Sequence, residues 1–284
     1  MKLNNSGMAQ SLIIQDLTAL GQLSMTTAIS MNQISNINTA VLPTQLLSTQ
    51  TEGFGEPQRS HMDEWIKRTW QHWDELGVNN FSSTLVGYLG SSELVELVEN
   101  LILNHNNLGT VIVDPVMADQ GSLYPGFKDS YVNGMRKLVS FSDFTVPNVT
   151  ELSLLTEISL ESDDTDENLE KAILKCTRFA PQSQVIVTGV KRGSQVGCIW
   201  LEEGKLHWQG QTAIEGHYFG TGDLFSAVLN AYLVNFPDSS LEHLIVQTTA
   251  VVQAAVEETS RMSFEQQKFG LKLQNAATML LRDF

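Results

Sequence analysis

Cysteine is nearly absent from this chain: Cys176 and Cys198 are the only two in 284 residues. Two thiols do not build a disulfide framework, and neither has a histidine at zinc-ligand spacing, so neither a disulfide scaffold nor a structural zinc site is expected. Long apolar runs are missing too. No stretch of about 18 apolar residues occurs, which argues against a transmembrane helix. The opening "MKLNNSGMAQSLIIQD" lacks the apolar core and small-residue cleavage site of a secretory signal, and residues 1–10 are expected to form a flexible extension. Basic residues are scarce: 17 Lys and Arg stand against 32 Asp and Glu, a net charge of −15. Nucleic acid and anionic membrane would repel such a chain, so neither is an expected partner, and a cytoplasmic setting is expected. Two nucleotide-binding signatures are also absent. There is no G-x-x-x-x-G-K-[ST], and "IIQDLTALGQLS" (13–24) lacks the G-x-G-x-x-G of a dinucleotide fold.

What is present is alternation. Apolar, β-branched runs at 11–16, 36–43, 81–89, 110–116, 143–148 and 184–190 read as short buried strands. Between them, 91–105 and 168–180 carry apolar residues at helical spacing. This pattern predicts an α/β fold, a mainly parallel sheet with helices on both faces. Residues 194–211 read as an edge hairpin turning across Glu202 to Lys205, and from Leu224 onward the chain is mostly helical. The charge run "ESDDTDE" (161–167) reads as a solvated loop entering a helix. No internal repeat or long linker interrupts the chain, so a single domain over 1–284 is expected.

Ligands of such sheets bind beyond the carboxyl ends of the strands, where several polar residues fall. In "HYFGTGDLFSAVLNAYL" (217–233), Gly220, Thr221, Gly222 and Asp223 stand before an apolar helix. One reading is a capping aspartate after a turn. The other is an anion site, with bare backbone N–H groups and a base beside them. Asp114 and Asp119 in "VDPVMAD" are either turn acids or holders of a hydrated Mg²⁺ or a monovalent cation. Asn148 and Glu151 in "PNVTEL" have capping-box spacing, which is compatible with Glu151 also contacting metal-bound water. Thr188 either donates to a phosphate oxygen or closes a turn. Trp65, Trp70 and Trp73 read as helix packing.

The order Asp, Asn-x-x-Glu, Thr-Gly, Gly-Thr-Gly-Asp resembles the ribokinase-like superfamily, and in particular the pyridoxal kinases. The pieces that carry the resemblance are "DPVMAD", "GSLY", "TVPNVTEL", "VIVTG" and "GTGDLFSA". It implies ATP-dependent phosphorylation of the 5′-hydroxymethyl group of pyridoxal, pyridoxine or pyridoxamine, with Mg²⁺, a monovalent cation and a homodimer. By the same resemblance Asp223 matches the catalytic base, and Gly220, Thr221 and Gly222 match the anion hole. Asn148, Glu151, Thr188 and Asp119 match the nucleotide region, and Asp114, Asp119 and Glu151 its metal side. Tyr124 falls on the flap over ATP, between Gly121 and Gly126. Asp16, Thr51, Tyr88 and Phe219 fall on the segments around the pyridine ring.

Three positions depart from the family pattern. Asp16 stands where serine is frequent, Ala118 replaces a common glycine, and Phe219 replaces a smaller apolar residue. The nearest alternative is a hydroxymethylpyrimidine kinase of the same superfamily. A dinucleotide-dependent oxidoreductase and a non-catalytic nucleotide-binding protein are more remote.

Overall fold

A computed structural model describes residues 10–284. Most of the extension expected over 1–10 therefore lies outside the described residues, and Gln10 already opens the first strand. The elements run β1 (Gln10–Thr18), α1 (Ser24–Ile34), β2 (Asn38–Leu47), β3 (Arg59–His61), α2 (Asp63–Leu76), β4 (Ser83–Val86), α3 (Ser92–Asn104) and β5 (Thr110–Val113). A small hairpin follows, β6 (Ala118–Asp119) and β7 (Ser122–Leu123), then α4 (Asp129–Val139), β8 (Phe144–Thr145), α5 (Val149–Thr156) and α6 (Asp166–Phe179). β9 (Gln184–Arg192), β10 (Gln195–Glu202) and β11 (Lys205–Thr212) lead into α7 (Thr221–Asn235), α8 (Leu241–Thr259), α9 (Phe264–Gln267) and α10 (Gln274–Asp283).

Nine strands form one sheet in the order β11-β10-β9-β8-β5-β4-β1-β2-β3. Pairing is parallel from β2 through β1, β4, β5 and β8 to β9, and antiparallel at β3 and at the β9-β10-β11 end. The expected edge hairpin is there. Its turn places Glu203 and Gly204 at φ 51° and 72°, the two positive values a tight hairpin turn requires.

Alternation along the strands feeds two cores. Leu12, Ile14, Val111, Val113, Val185 and Val187 face α2 to α6, whereas Ile13, Leu85, Ile112 and Ile186 face α1, α7, α8 and α10. A parallel strand covered on both faces is apolar at every position, which is why these runs read as continuous rather than alternating. Trp70 and Trp73 pack into the first core as expected, and Trp70 Nε1 donates to His105 Nε2 at 2.8 Å.

Helix caps set several boundaries. Ser91 accepts from Leu94 N at the start of α3. Thr165 accepts from Asn168 N, so α6 begins two residues before the periodic pattern does, with Asp166 and Glu167 in its first turn.

Three expectations are corrected. The strands expected to run to 89 and 148 stop at Val86 and Thr145, so Tyr88 and Asn148 sit in the turns beyond them. Thr188 does not end a strand. β9 continues to Arg192, and Thr188 makes the last parallel bridge on one edge, to Asn148, while β10 pairs antiparallel along the other edge from Ile186 to Arg192. Asp16 likewise lies within β1, at a register shift between Gln15 and Leu17.

The β9-β10-β11 end depends on close backbone approach at Gly197. A Cβ there would collide with the carbonyl oxygen of Gln209. Gly197→Ala should destabilise the protein by about 2 kcal/mol or more, because backbone rather than a flexible side chain must move. The urea unfolding midpoint measures this; an unchanged midpoint would show that the hairpin adjusts freely.

Candidate active site

The apolar helix that follows the glycines is α7. Its first intrahelical bond runs from Leu224 N to Gly220 O at 2.9 Å, which leaves the N–H groups of Thr221, Gly222 and Asp223 without partners in their own helix. Gly220 precedes them with φ 86°, and a Cβ there would press on Leu23 Cδ2 at 2.9 Å. Asp223 does not cap this helix. Its Oδ2 accepts from Ser24 N at 2.8 Å and lies 3.3 Å from Ser24 Oγ, across 199 residues of sequence. Ser24 opens α1 with φ 44°, a left-handed value unusual for serine. Two helix N-termini thus meet around one carboxylate.

This meeting point lies on a cleft of about 740 Å³, within the ordinary range for small-molecule sites. Every candidate residue lines it: Gly220, Thr221, Gly222 and Asp223; Asp114, Asp119, Asn148 and Glu151; Thr188 and Tyr124; Asp16, Thr51, Tyr88 and Phe219. The tertiary fold therefore collects all of them.

Acid dominates the floor. Asp114 is buried, and its Oδ2 accepts from Ser226 Oγ at 2.6 Å. Burial, with the Asp223 charge adding to it, raises Asp114 to about 7. Asp16 is also raised to about 7, first by burial and then by Asp223, although Thr18 Oγ1 donates to it at 3.0 Å. Asp223 itself is pushed up by burial and held down by the Ser24 donors. Burial and the neighbouring Asp114 lift Glu151 well above the ordinary carboxylate range.

The capping reading of Asn148 and Glu151 holds in full. Glu151 N donates to Asn148 Oδ1 at 2.9 Å, and Asn148 N donates to Glu151 Oε2 at 2.8 Å. The other oxygen, Oε1, accepts from Met117 N at 3.1 Å. Both carboxylate oxygens thus already serve backbone N–H groups. Among the described residues no three His, Cys, Asp or Glu converge where a metal ion could sit. Asp114, Asp119 and Glu151 therefore do not make an all-protein cage. They fit the hydrated Mg²⁺ of a phosphate site, which takes its inner ligands from phosphate and water.

The expected lid is a built hairpin. Gln120 and Gly121 turn it at φ 50° and 80°, and Gly121 N donates to Thr150 Oγ1 at 3.0 Å. Tyr124 follows, its N–H bonded to Met117 O at 2.9 Å. Tyr124 also lines a smaller adjoining pocket of about 290 Å³ with Thr51, Tyr88 and Arg59. Tyr88 is buried, and its ring centroid is 5.7 Å from that of Phe127.

Sequence reasoning missed three residues. Ser24 follows Gly21, Gln22 and Leu23, a stretch with no capping or periodic signal. Lys191 is, among the described residues, the sole lysine or arginine lining the cleft. The register sets it beside Val196 and Gln211 on neighbouring strands. His217 lay inside the quoted motif yet drew no role. A slot between Cys198 on β10 and Thr249, Val252 and Val256 on α8 was also invisible, because α8 is distant in sequence.

The sheet order, the Gly-Thr-Gly-Asp turn at a helix N-terminus and the flap hairpin together define the ribokinase-like class of kinase folds. The chain belongs to the phosphomethylpyrimidine kinase family, whose family model matches residues 63–270. It is similar to the pyridoxal kinase of Lactobacillus plantarum, with 30% identity and a TM-score of 0.90 over 97% of this chain and 98% of that one. A Bacteroides thetaiotaomicron structure described as a phosphomethylpyrimidine kinase and solved with pyridoxal shares 25% identity, with a TM-score of 0.88 over 96% of each chain. Among curated relatives, the pyridoxal kinase of Arabidopsis thaliana is 27% identical over 68% of this chain. The match spans 65% of that protein's length, so the chain covers just under two thirds of it.

The raised Asp16 gives a test with a defined sign. Its folded value of about 7 exceeds the ordinary 3.8, so the folded state holds the proton more tightly than the unfolded chain. That contribution is complete below about pH 4 and is lost as pH rises towards 7. Asp16→Asn keeps an oxygen for Thr18 and removes the charge. It should raise Tm at pH 8, by roughly 2–4 °C per kcal/mol recovered, and leave Tm nearly unchanged at pH 4. Equal shifts at both pH values would show that burial does not strain the charge.

Proposed function

We propose that the protein transfers the γ-phosphoryl group of MgATP to the 5′-hydroxymethyl group of a B6 vitamer: pyridoxal, pyridoxine or pyridoxamine. The observation that carries this reading is the placement of Asp223 beside the unpaired N–H groups of Thr221 and Gly222, on the floor of a cleft of about 740 Å³. One end offers Asp16, Thr51, Tyr88 and Phe219 to a small polar aromatic ring. The other offers Asn148, Thr188, Lys191 and the α8 slot to a nucleotide. The similarity to the Lactobacillus plantarum enzyme and to the Bacteroides thetaiotaomicron structure solved with pyridoxal supports the choice of ring.

In this reading the hydroxymethyl oxygen attacks the γ-phosphorus in line as the bond to the ADP oxygen breaks, and Asp223 takes the hydroxyl proton. The N–H groups of Thr221 and Gly222 donate to the transferring oxygens, where charge builds and water is excluded. Asp114, Asp119 and Glu151 would hold the water shell of a Mg²⁺ ion, which would neutralise phosphate charge. Asn148, fixed by the Ala118 carbonyl at 2.8 Å from its Nδ2, orients that side of the cleft. Thr188 donates its hydroxyl to a phosphate oxygen, and Tyr124 on the flap covers the nucleotide. A monovalent cation, a homodimer and a cytoplasmic setting belong to the same reading.

The second reading, a hydroxymethylpyrimidine kinase, has the description of the matched family in its favour. ATP consumption measured with pyridoxal, pyridoxine, pyridoxamine and hydroxymethylpyrimidine decides between them. Turnover of the pyrimidine alone would overturn the vitamer assignment.

Asp223→Asn tests the chemistry. Asparagine retains an oxygen for the Ser24 donors, so the protein should fold and bind ATP. Turnover should fall by about 10²–10⁴-fold, the usual contribution of a positioned base. Near-normal kcat in the folded variant would sink the role assigned to Asp223.

A further inference from the structure

Three segments from distant parts of the chain meet at the cleft mouth. Glu52 follows Thr51 in the loop between β2 and β3, Gln120 forms the tip of the flap, and His217 lies three residues before Gly220. The His217 ring engages all three. Its Nε2 is 3.4 Å from Glu52 Oε2, its Nδ1 is 3.2 Å from Gln120 Nε2, and its ring meets Phe219 edge-on at 4.4 Å and 88°.

The chemistry suits a tie. A neutral imidazole with its proton on Nε2 presents an N–H to the Glu52 carboxylate and a bare Nδ1 to the Gln120 amide. A protonated ring keeps Glu52, and Gln120 meets Nδ1–H with its carbonyl after turning its amide over. The tie therefore holds in either charge state. Away from the mouth, each outer segment is anchored separately. Gln50 Nε2 donates to Lys268 O, Phe54 packs edge-on against Phe269 at 5.1 Å, and the flap tip rests on Thr150. His217 spans the gap between them.

We propose that His217 is a positioning residue that joins the ring-side loop, the flap and the glycine turn into one closing unit. Binding of the aromatic alcohol at one end of the cleft then favours binding of the nucleotide at the other. This rests on the kinase reading above, in which Thr51 belongs to the alcohol end and the flap to the nucleotide end.

The test measures affinity for a non-hydrolysable ATP analogue with and without pyridoxal, or hydroxymethylpyrimidine if that is the alcohol accepted. Chymotrypsin-type cutting between Asp119 and Lys128, at Leu123 or Phe127, is followed in parallel. In the wild type the alcohol should tighten analogue binding by on the order of 5-fold or more, the usual lower range of coupling between sites, and slow the cutting. In His217→Ala the coupling should fall to nearly 1 with Tm held, and His217→Gln, which keeps a donor and an acceptor, should recover part of it. Gln120 is exposed, so Gln120→Ala carries the same test should His217→Ala fold poorly. Coupling in both alanine variants equal to the wild type, or no coupling in the wild type, overturns the proposal. If no alcohol is turned over, the kinase reading fails separately. Flap protection by the analogue alone then decides: loss in the variants supports the tie, and equal protection refutes it.

Discussion

One carboxylate joins the two ends of this chain. Asp223 opens α7, and Ser24 opens α1 from the other side of the sequence; the two hydrogen bonds between them pin both helix starts to the same point. The sheet makes that point possible. Its connections step from β1 to β2 in one direction and from β4 through β5 and β8 to β9 in the other, so a crevice opens beside β1. The positive ends of both helices face it, which offsets part of the cost of burying the charge. Ser24 keeps its left-handed backbone because Asp223 holds it there, strain of the kind stored at working sites.

Charge governs everything laid over that point. Asp16, Asp114, Glu151 and Asp223 share the cleft floor, and burial raises each of them. Lys191 alone among the described lysines and arginines lines the same space. In the proposed reading, a polyphosphate would meet backbone N–H groups before it meets a cationic side chain. The net charge of −15 points the same way, because the bulk field of the protein does not attract an anion. Recognition has to be short-range and directional, which is what unpaired N–H groups at a helix start supply.

The departures from the family pattern fit around these constraints. Ala118 keeps ordinary backbone angles at the foot of the flap, its side chain buried and its carbonyl accepting from Asn148. No glycine is needed there. Phe219 is buried against the His217 ring, so its extra bulk steadies the turn before Gly220. Asp16 is the departure with chemical weight. A serine would bring no ionisable group, whereas Asp16 adds to the cleft a buried carboxyl that burial and Asp223 raise to about 7.

The sequence by itself determined the layers and the cap of α5. Continuous apolar runs such as "LII" and "VIV" satisfy two faces at once, and the Asn148–Glu151 box acts within four residues, so both are local and legible. It also held the cleft residues in order, readable only because their spacing resembles a known family. Tertiary structure decided which of two local readings each motif obeyed. Asp223 has the spacing of a cap but bonds to Ser24, whereas Glu151 has the spacing of a capping box and forms one, its second oxygen accepting from Met117 N across 34 residues. It also decided that His217, Gln120 and Glu52 meet, a contact between loops with no periodicity to announce it. A side chain's nearest turn is written in its neighbours, but its partner across the cleft exists only after the sheet has brought distant strand ends together.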